Sequence, residues 1–283
     1  MPSEFCPRAV HASDSEPAAP GRAHPKKSLG QHFLRDEGAC RRIVDLARVE
    51  AGDQVLEIGP GRGALTRFLR PLPWSRLILV EKDDALAAEH AARPLPGLQV
   101  VHGDALAFDW TSLAGGWKIV GNLPYNVATP ILLTLLERFD NLHSFLVMVQ
   151  KEVADRLSEK PGSKIYGTPS VKLAWYGTAK SVGNIGRNVF WPAPNVDSAL
   201  VRFERHAADD PRNPNNRSVG RDLVFRLIDA SFAQRRKTLH AALRKIVPSG
   251  AFERAGIDPT RRGETLDIDE FVALATACKE LEA

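Results

Sequence analysis

The segment Gly121-Asn122-Leu123-Pro124-Tyr125-Asn126-Val127-Ala128-Thr129-Pro130 follows an apolar run, Trp117 to Val120, and precedes a helix-like run, Ile131 to Phe139. A polar amide, a proline and an aromatic ring therefore stand together where a strand should end. In open α/β sheets that edge is where ligands bind. The residue types suit work on an exocyclic amino group. Nitrogen attached to an aromatic base has its lone pair delocalised into the ring. Two acceptors, the Asn122 side-chain oxygen and the Leu123 carbonyl, would hold both N–H protons and favour a pyramidal nitrogen. Tyr125 would stack on the base, a contact worth roughly 1–3 kcal/mol. The plainer reading is a βα loop with Asn and Pro as turn formers. Its surroundings decide between the two.

A second constellation lies upstream. Gln54 to Ile58 is a short apolar strand with Glu57 near its end; it runs into Gly59-Pro60-Gly61-Arg62-Gly63, and Ala64 to Arg70 continues as a helix. Strand, glycine-rich turn and helix make a nucleotide-binding βα unit. Missing Cβ atoms let a ligand approach the backbone, and the helix N-terminus offers free N–H groups. A tight turn with no ligand is the alternative, which the strand-to-helix context disfavours. Arg76 to Val80 is the next strand, ending in Glu81-Lys82-Asp83. Glu81 stands about 22 residues after Gly59, near the roughly 20-residue offset at which an acid meets a ribose hydroxyl in such folds. A carboxylate accepts the two hydrogen bonds that a vicinal diol donates. Asp83 or Asp84 would cap a helix beginning near Ala85. A third strand, Leu98 to Val101, ends in His102-Gly103-Asp104. Asp104 reads either as a strand-end cap or as an acceptor for an adenine amino group; taken alone, the cap prevails.

NAD and S-adenosylmethionine both present an adenosine ribose to an acid after the second strand. The Gly59-x-Gly61-x-Gly63 pattern lacks the third-glycine spacing of the dinucleotide fingerprint. No His, Lys or Tyr site for handling hydride is evident. The Asn122 loop fits a methyl sulfonium better, since a held, pyramidal nitrogen aims its lone pair at the methyl carbon. Positioning and electrostatics would supply the rate. No strong general base is needed, because the proton becomes acidic once the nitrogen is methylated. No metal enters this chemistry. Cys6, Cys40 and Cys278 are far apart and form neither a disulfide framework nor a Cys-x-x-Cys metal pair.

These residues need elements to position them. Alternating short apolar strands and helices predict a doubly wound, mostly parallel, Rossmann-like sheet. Trp117 to Val120 is its fourth strand and Ser144 to Val149 its fifth, followed by a helix over Glu152 to Glu159. A helix with apolar spacing over Glu37 to Val49 precedes the sheet. Tyr166 to Tyr176 reads as a helix if Pro169 sits in its first turn. Ala179 to Ile185 and Ala199 to Phe203 read as an antiparallel addition. Between them Phe190-Trp191-Pro192-Ala193-Pro194 is a rigid loop, with Trp191 a buried anchor. Residues 1–25, rich in Pro, Ala and Ser, read as a disordered tail. Order begins near Lys26, and residues 26–206 form the catalytic domain. Residues 207–220 are a linker by composition. Residues 221–283 form a small all-helical domain, with Val224, Leu227, Ile228 and Phe232 on one helical face and a final helix over Asp267 to Glu280. Arg235, Arg236, Lys237, Arg244 and Lys245 concentrate positive charge there. The run reads as a solvated face or as a phosphate-binding patch.

The bulk properties permit this organisation. The 283 residues suit one large domain plus a small one. Net charge is +4 and the isoelectric point about 9.0, which permits a polyanionic partner without requiring one. No apolar run approaches the roughly 18 residues of a membrane span, and no secretory signal is visible. With its scattered cysteines the chain fits a reducing cytoplasm. Monomer is the default state.

Seven motifs in order carry a family resemblance: Gly30-Gln31-His32-Phe33-Leu34, Glu57-Ile58-Gly59-Pro60-Gly61-Arg62-Gly63, Gly103-Asp104-Ala105-Leu106, Asn122-Leu123-Pro124-Tyr125-Asn126, Gln150-Lys151-Glu152-Val153-Ala154, Pro192-Ala193-Pro194-Asn195-Val196-Asp197-Ser198 and Phe232-Ala233-Gln234-Arg235-Arg236-Lys237-Thr238-Leu239. From about Lys26 to the C-terminus the chain resembles the small-subunit ribosomal RNA adenine dimethyltransferases. The resemblance implies dimethylation at N6 of two adjacent adenines in a hairpin near the 3′ end of small-subunit rRNA, within the immature 30S subunit during ribosome assembly. It implies that Gln31, His32 and Leu34 line the cofactor site, that Gly59 approaches the methionine part, and that Glu81 meets the ribose and Asp104 the adenine amino group. Asn122 would serve both sites, with Leu123 and Tyr125 at the target base and Phe190 as a second stacking aromatic. The helical domain, with Arg235, Arg236 and Lys237, would touch rRNA. Three positions depart from the family pattern: Pro169 replaces an apolar residue, Asn195 a common Lys, and His240-Ala241-Ala242 lacks an Asn.

Three other readings compete. A large-subunit rRNA adenine methyltransferase of the macrolide-resistance type shares the cofactor motifs, but the Phe232 to Leu239 segment and the Asn-Leu-Pro-Tyr form favour the small-subunit enzyme. A non-catalytic assembly factor would not need the intact Asn122 loop. A NAD oxidoreductase fits least.

Overall fold

Five short strands, each apolar for most of its length, set the frame. They are β2 (Gln54–Ile58), β3 (Arg76–Glu81), β4 (Leu98–His102), β5 (Trp117–Asn122) and β6 (Leu142–Gln150), mutually parallel in the order β4-β3-β2-β5-β6. The computed structural model describes residue 26 and residues 30–282. The tail expected over residues 1–25 lies outside the described residues. Side chains alternate between the two faces of the sheet. On β2, Leu56 and Ile58 join one apolar cluster and Val55 the other. Parallel strands covered on both faces read as apolar runs for this reason.

Helices cover both faces. α1 (Glu37–Ala47) starts at Asp36, whose side chain accepts from the Ala39 N–H at 2.6 Å. It buries Cys40, Ile43 and Val44 on the Val55 side together with α2 (Thr66–Leu69). α2 is shorter than the expected Ala64 to Arg70. Gly61 and Gly63 take positive φ, and the Gly63 N–H closes a turn on the Pro60 carbonyl at 2.8 Å, so the chain is still turning there. α3 (Asp84–Ala91) is capped by Asp83. On the opposite face α4 (Ala128–Arg138) buries Ile131, Leu132, Leu135 and Leu136. It begins three residues before the expected Ile131. Pro130 lies in its first turn, where a missing N–H leaves no bond unmade.

After α5 (Lys151–Ser158), α6 (Thr168–Tyr176) places Pro169 in its first turn as the sequence requires. β7 (Gly177–Ile185) and β9 (Ser198–Arg205) then complete the sheet, with β9 antiparallel between β6 and β7. The doubly wound sheet with an antiparallel addition is as expected. Because β9 runs backwards, its first residue, Ser198, lies opposite Gln150 at the carboxyl edge of the parallel strands. A separate two-stranded pair joins β1 (Phe33–Leu34) to β8 (Phe190–Trp191), with Leu34 opposite Phe190.

The C-terminal part holds α7 (Arg221–Ala233), α8 (Leu239–Leu243), α9 (Ala251–Arg254) and α10 (Ile268–Glu282). Val224, Leu227 and Ile228 are buried on α7, and Phe232 packs against Tyr166 with ring centroids 6.0 Å apart. These helices share one apolar cluster with the sheet, through Val171 and Trp175 of α6. The connection over residues 207–220 is anchored: buried Asn213 donates to the carbonyls of His206 and Ala207.

Candidate functional site

The parallel register brings four strand ends level. Ile58 pairs with Val80 and with Gly121, and Glu81 with His102. Gly59, Glu81, Asp104 and Asn122 therefore surround one cleft at the carboxyl edge. Gln31, His32 and Leu34 close it from the N-terminal segment, and Leu123 and Tyr125 line its far end. Nine of the sequence-derived residues thus meet in one place, although they span the chain from 31 to 125.

The glycine turn is braced from two sides. The Gly61 N–H donates to Glu81 Oε2 at 2.9 Å, and the Gly61 carbonyl lies 2.9 Å from His90 Nε2 on α3. A carbonyl only accepts, so His90 carries the proton on Nε2. A Cβ on Gly61 would lie 3.3 Å from the Phe33 ring, and one on Gly63 3.1 Å from His90 Cε1. The other Glu81 oxygen accepts from the Asp83 N–H at 2.9 Å. Glu81 is thereby oriented by two amides while each oxygen keeps a further lone pair.

Glu57 sits beneath this turn, 1% exposed, and accepts from Thr66 Oγ1 at 2.7 Å. Burial pushes its carboxyl up to about 8, the Thr66 bond opposing and the Glu81 charge adding. Asp104 is different. The Lys82 ammonium at 2.8 Å and the Leu106 N–H hold its carboxyl below the usual carboxylate range. Gln31 is tied at both ends, donating to Asp83 and accepting from the Lys26 N–H.

At the far end the Asn122 Nδ2 donates to the His32 carbonyl at 3.1 Å. Tyr125 stacks on the His32 ring, centroids 5.6 Å apart, and its hydroxyl meets Ser198 Oγ at 2.5 Å. Burial raises the Tyr125 pKa, so the phenol stays neutral. The Leu123 N–H bonds the Met148 carbonyl, fixing the start of the loop on β6. Phe190 is placed elsewhere. It is buried in the apolar cluster beside Leu34 and does not line the cleft. Trp191 faces Phe33 across the β1–β8 pair and is half-buried, with the guanidinium groups of Arg35 and Arg62 over its ring.

The basic segment divides. Arg235 is half-buried, paired with Glu264 at 2.6 Å and donating to the carbonyls of Ser163 and Lys164. Arg236 and Lys237 are exposed. Sequence reasoning missed Thr66, His90 and Ser198, each of which holds a site residue. Thr66 and His90 belong to helices whose apolar pattern gives no hint of a polar duty. Ser198 closes the Pro192 to Ser198 motif, and only the antiparallel run of β9 brings it to Tyr125. Among the described residues no cluster of His, Cys, Asp and Glu is arranged to hold a metal ion.

The sheet order and the cleft at its carboxyl edge are those of the Rossmann-like S-adenosylmethionine-dependent methyltransferases. The structure superposes on a dimethyladenosine transferase from Plasmodium falciparum with a TM-score of 0.74 at 24% identity, covering 86% of this chain and 96% of that one. It superposes on the 23S rRNA methyltransferase ErmE with a TM-score of 0.65 at 23% identity, covering 87% and 99%. At that identity both are likenesses of fold. Sequence goes further. Residues 22–280 match the family model of ribosomal RNA adenine dimethylase. The chain is 60% identical over 284 residues to ribosomal RNA small subunit methyltransferase A of Bifidobacterium adolescentis, covering 94% of this chain and 92% of that protein. It is 47% identical over 263 residues to the protein of the same name from Leifsonia xyli, covering 89% and 91%. The chain belongs to the ribosomal RNA adenine dimethylase family.

Proposed function

We propose that this chain dimethylates N6 of two adjacent adenines in the 3′-terminal hairpin of small-subunit rRNA, within the immature 30S subunit, and that it does so as a cytoplasmic monomer. The observation that carries the reading is the commitment of Asn122 Nδ2 to the His32 carbonyl, which leaves Oδ1 as the open acceptor of that amide.

The residues of the cleft fit the cofactor. Gly59 and Gly61 adopt positive φ and present bare backbone, and Phe33 packs where a side chain on Gly61 would stand. Glu81, held by two amides, would take the ribose diol, and Asp104, kept ionised by Lys82, the adenine amino group. Gln31, His32 and Leu34 would wall the site. When bound, S-adenosylmethionine supplies an electrophilic methyl group on a sulfonium.

The chain's part in the transfer is positioning. Asn122 Oδ1 and the Leu123 carbonyl would accept the two N6–H bonds of the adenine, which disfavours delocalisation of the nitrogen lone pair. Tyr125 would stack on the base and hold its plane. Its neutral phenol takes no proton. Once methylated, the nitrogen loses one proton to water; in a second round its single remaining N–H would bond only one of the two acceptors. Phe190, buried opposite Leu34 and outside the cleft lining, would pack beneath the site and not against the base. Arg236 and Lys237 would meet rRNA phosphates, while Arg235 secures the 163–164 loop. The catalytic domain of residues 26–206 and the rRNA-contacting helices of 221–283 would thus act as two parts on one core.

Labelled S-adenosylmethionine incubated with immature small subunits tests this. Label should enter small-subunit rRNA, and nuclease digestion should release N6,N6-dimethyladenosine. Label in large subunits instead overturns the reading.

A further inference from the structure

We propose that His32 is a positioning residue for methyl transfer, setting Asn122 and Tyr125 in the target-base half of the cleft in addition to walling the cofactor half. The inference rests on the function proposed above.

Three contacts converge on this residue. Its backbone carbonyl accepts from Asn122 Nδ2 at 3.1 Å, 90 residues away in sequence. Its ring stacks on Tyr125, centroids 5.6 Å apart and planes 23° from parallel. Its Nδ1 lies 2.8 Å from the Pro192 carbonyl. Because a carbonyl only accepts, Nδ1 carries the proton and donates. The segment is also pinned on its C-terminal side, where Phe33 and Leu34 pair with β8 and the Arg35 N–H donates to the Val189 carbonyl at 2.8 Å.

Each contact constrains a reacting partner. A side-chain amide has two orientations related by a flip that exchanges its oxygen and nitrogen. Flipping Asn122 would set its oxygen against the His32 carbonyl, two acceptors with no proton between them. The His32 carbonyl therefore selects the orientation in which Asn122 offers Oδ1 to the cleft. The stack covers one face of Tyr125, so a base entering the cleft would take the other. The Ser198 contact fixes the same ring at its hydroxyl, so plane and tilt are both set. The Nδ1 bond to Pro192 stops the His32 ring from turning away from Tyr125. Cofactor wall and target-base pocket thus share one residue.

Two variants separate the contacts. His32→Asn retains an N–H donor near Nδ1 and loses the ring; His32→Phe retains the ring and loses the donor. Full-length protein is assayed with immature small subunits at saturating S-adenosylmethionine, and S-adenosylhomocysteine affinity is measured by calorimetry. Both variants should lose about tenfold or more in kcat, the scale of a displaced reacting geometry, with cofactor affinity changed by less than about threefold. A tenfold loss of affinity with kcat at saturation unchanged would make His32 a cofactor-wall residue only and overturn the proposal. A readout on the protein itself keeps the two readings apart. The Asn122 side-chain amide resonances should shift and exchange faster in both variants. If they do not, the positioning role falls. If the wild type fails to methylate small-subunit rRNA, it is the function reading that falls.

Discussion

Tyr125 Oη lies 2.5 Å from Ser198 Oγ, joining the loop after β5 to the first residue of β9. The contact explains how a tyrosine at the mouth of a cleft keeps one orientation. Tyr125→Ala should lower kcat/KM by roughly 10- to 100-fold, the worth of a base–aromatic stack. Tyr125→Phe keeps the ring and should cost far less. Ser198→Ala should resemble Tyr125→Phe. Steady-state kinetics on immature subunits check the ranking; equal losses in all three would remove the stack from the account.

Asn122→Ala takes away the proposed acceptor and leaves the His32 carbonyl without its donor. Turnover should fall by about 10²–10³-fold, the usual cost of one positioned polar group in a transition state. Subunit binding, measured by co-sedimentation, should be unchanged. Full activity in this variant would refute the role of the amide.

Glu57 gives a pH signature. Its ordinary pKa of 4.5 is raised to about 8 by burial in the fold. The folded chain therefore holds this proton more tightly than the unfolded one. The contribution to stability is complete below the ordinary value and is lost as pH rises through about 8. Glu57→Gln keeps an acceptor for Thr66 and cannot ionise. Between about pH 5 and 8 its melting temperature should fall less than that of the wild type. Parallel melting curves would show that the carboxyl ionises at its usual pH despite its burial.

Arg235 and its neighbours should behave differently from one another. Arg235→Ala breaks the pair with Glu264 and frees two carbonyls of the 163–164 loop, so it should lower the melting temperature. Arg236→Ala and Lys237→Ala should leave stability alone. Each should flatten the salt dependence of subunit binding by about one unit of slope. Binding that is indifferent to both would make the exposed pair a solvated face.

His90→Ala should loosen the glycine turn, because the Gly61 carbonyl loses its donor at 2.9 Å. Affinity for S-adenosylhomocysteine should drop by roughly 5- to 20-fold, about the worth of one buried hydrogen bond. His90→Gln offers an N–H on a longer arm and should recover part of the loss. Calorimetry at fixed salt distinguishes the two.

Local pattern alone determined much of this protein. Apolar runs of strand length separated by helix-spaced residues gave the parallel sheet, and three glycines after β2 marked the turn where side chains are excluded. Asn122 and Tyr125 were recognisable because strand ends fall where periodicity stops. Local signals faded where neighbours decide. Whether the chain turns or coils after Gly63 depended on φ values at two glycines, and α2 is shorter than its sequence suggests. Tertiary structure alone decided which distant groups meet. Ser198 reaches Tyr125 because β9 runs antiparallel, His90 reaches Gly61 from α3, and the His32 carbonyl meets Asn122 over 90 residues. It also buried Phe190 opposite Leu34 and gave Arg235 a carboxylate of its own. Sequence periodicity records which face of an element is apolar. It carries no record of which polar group on another element lies within hydrogen-bonding distance, because that is set by how the strands are ordered and how the helices pack.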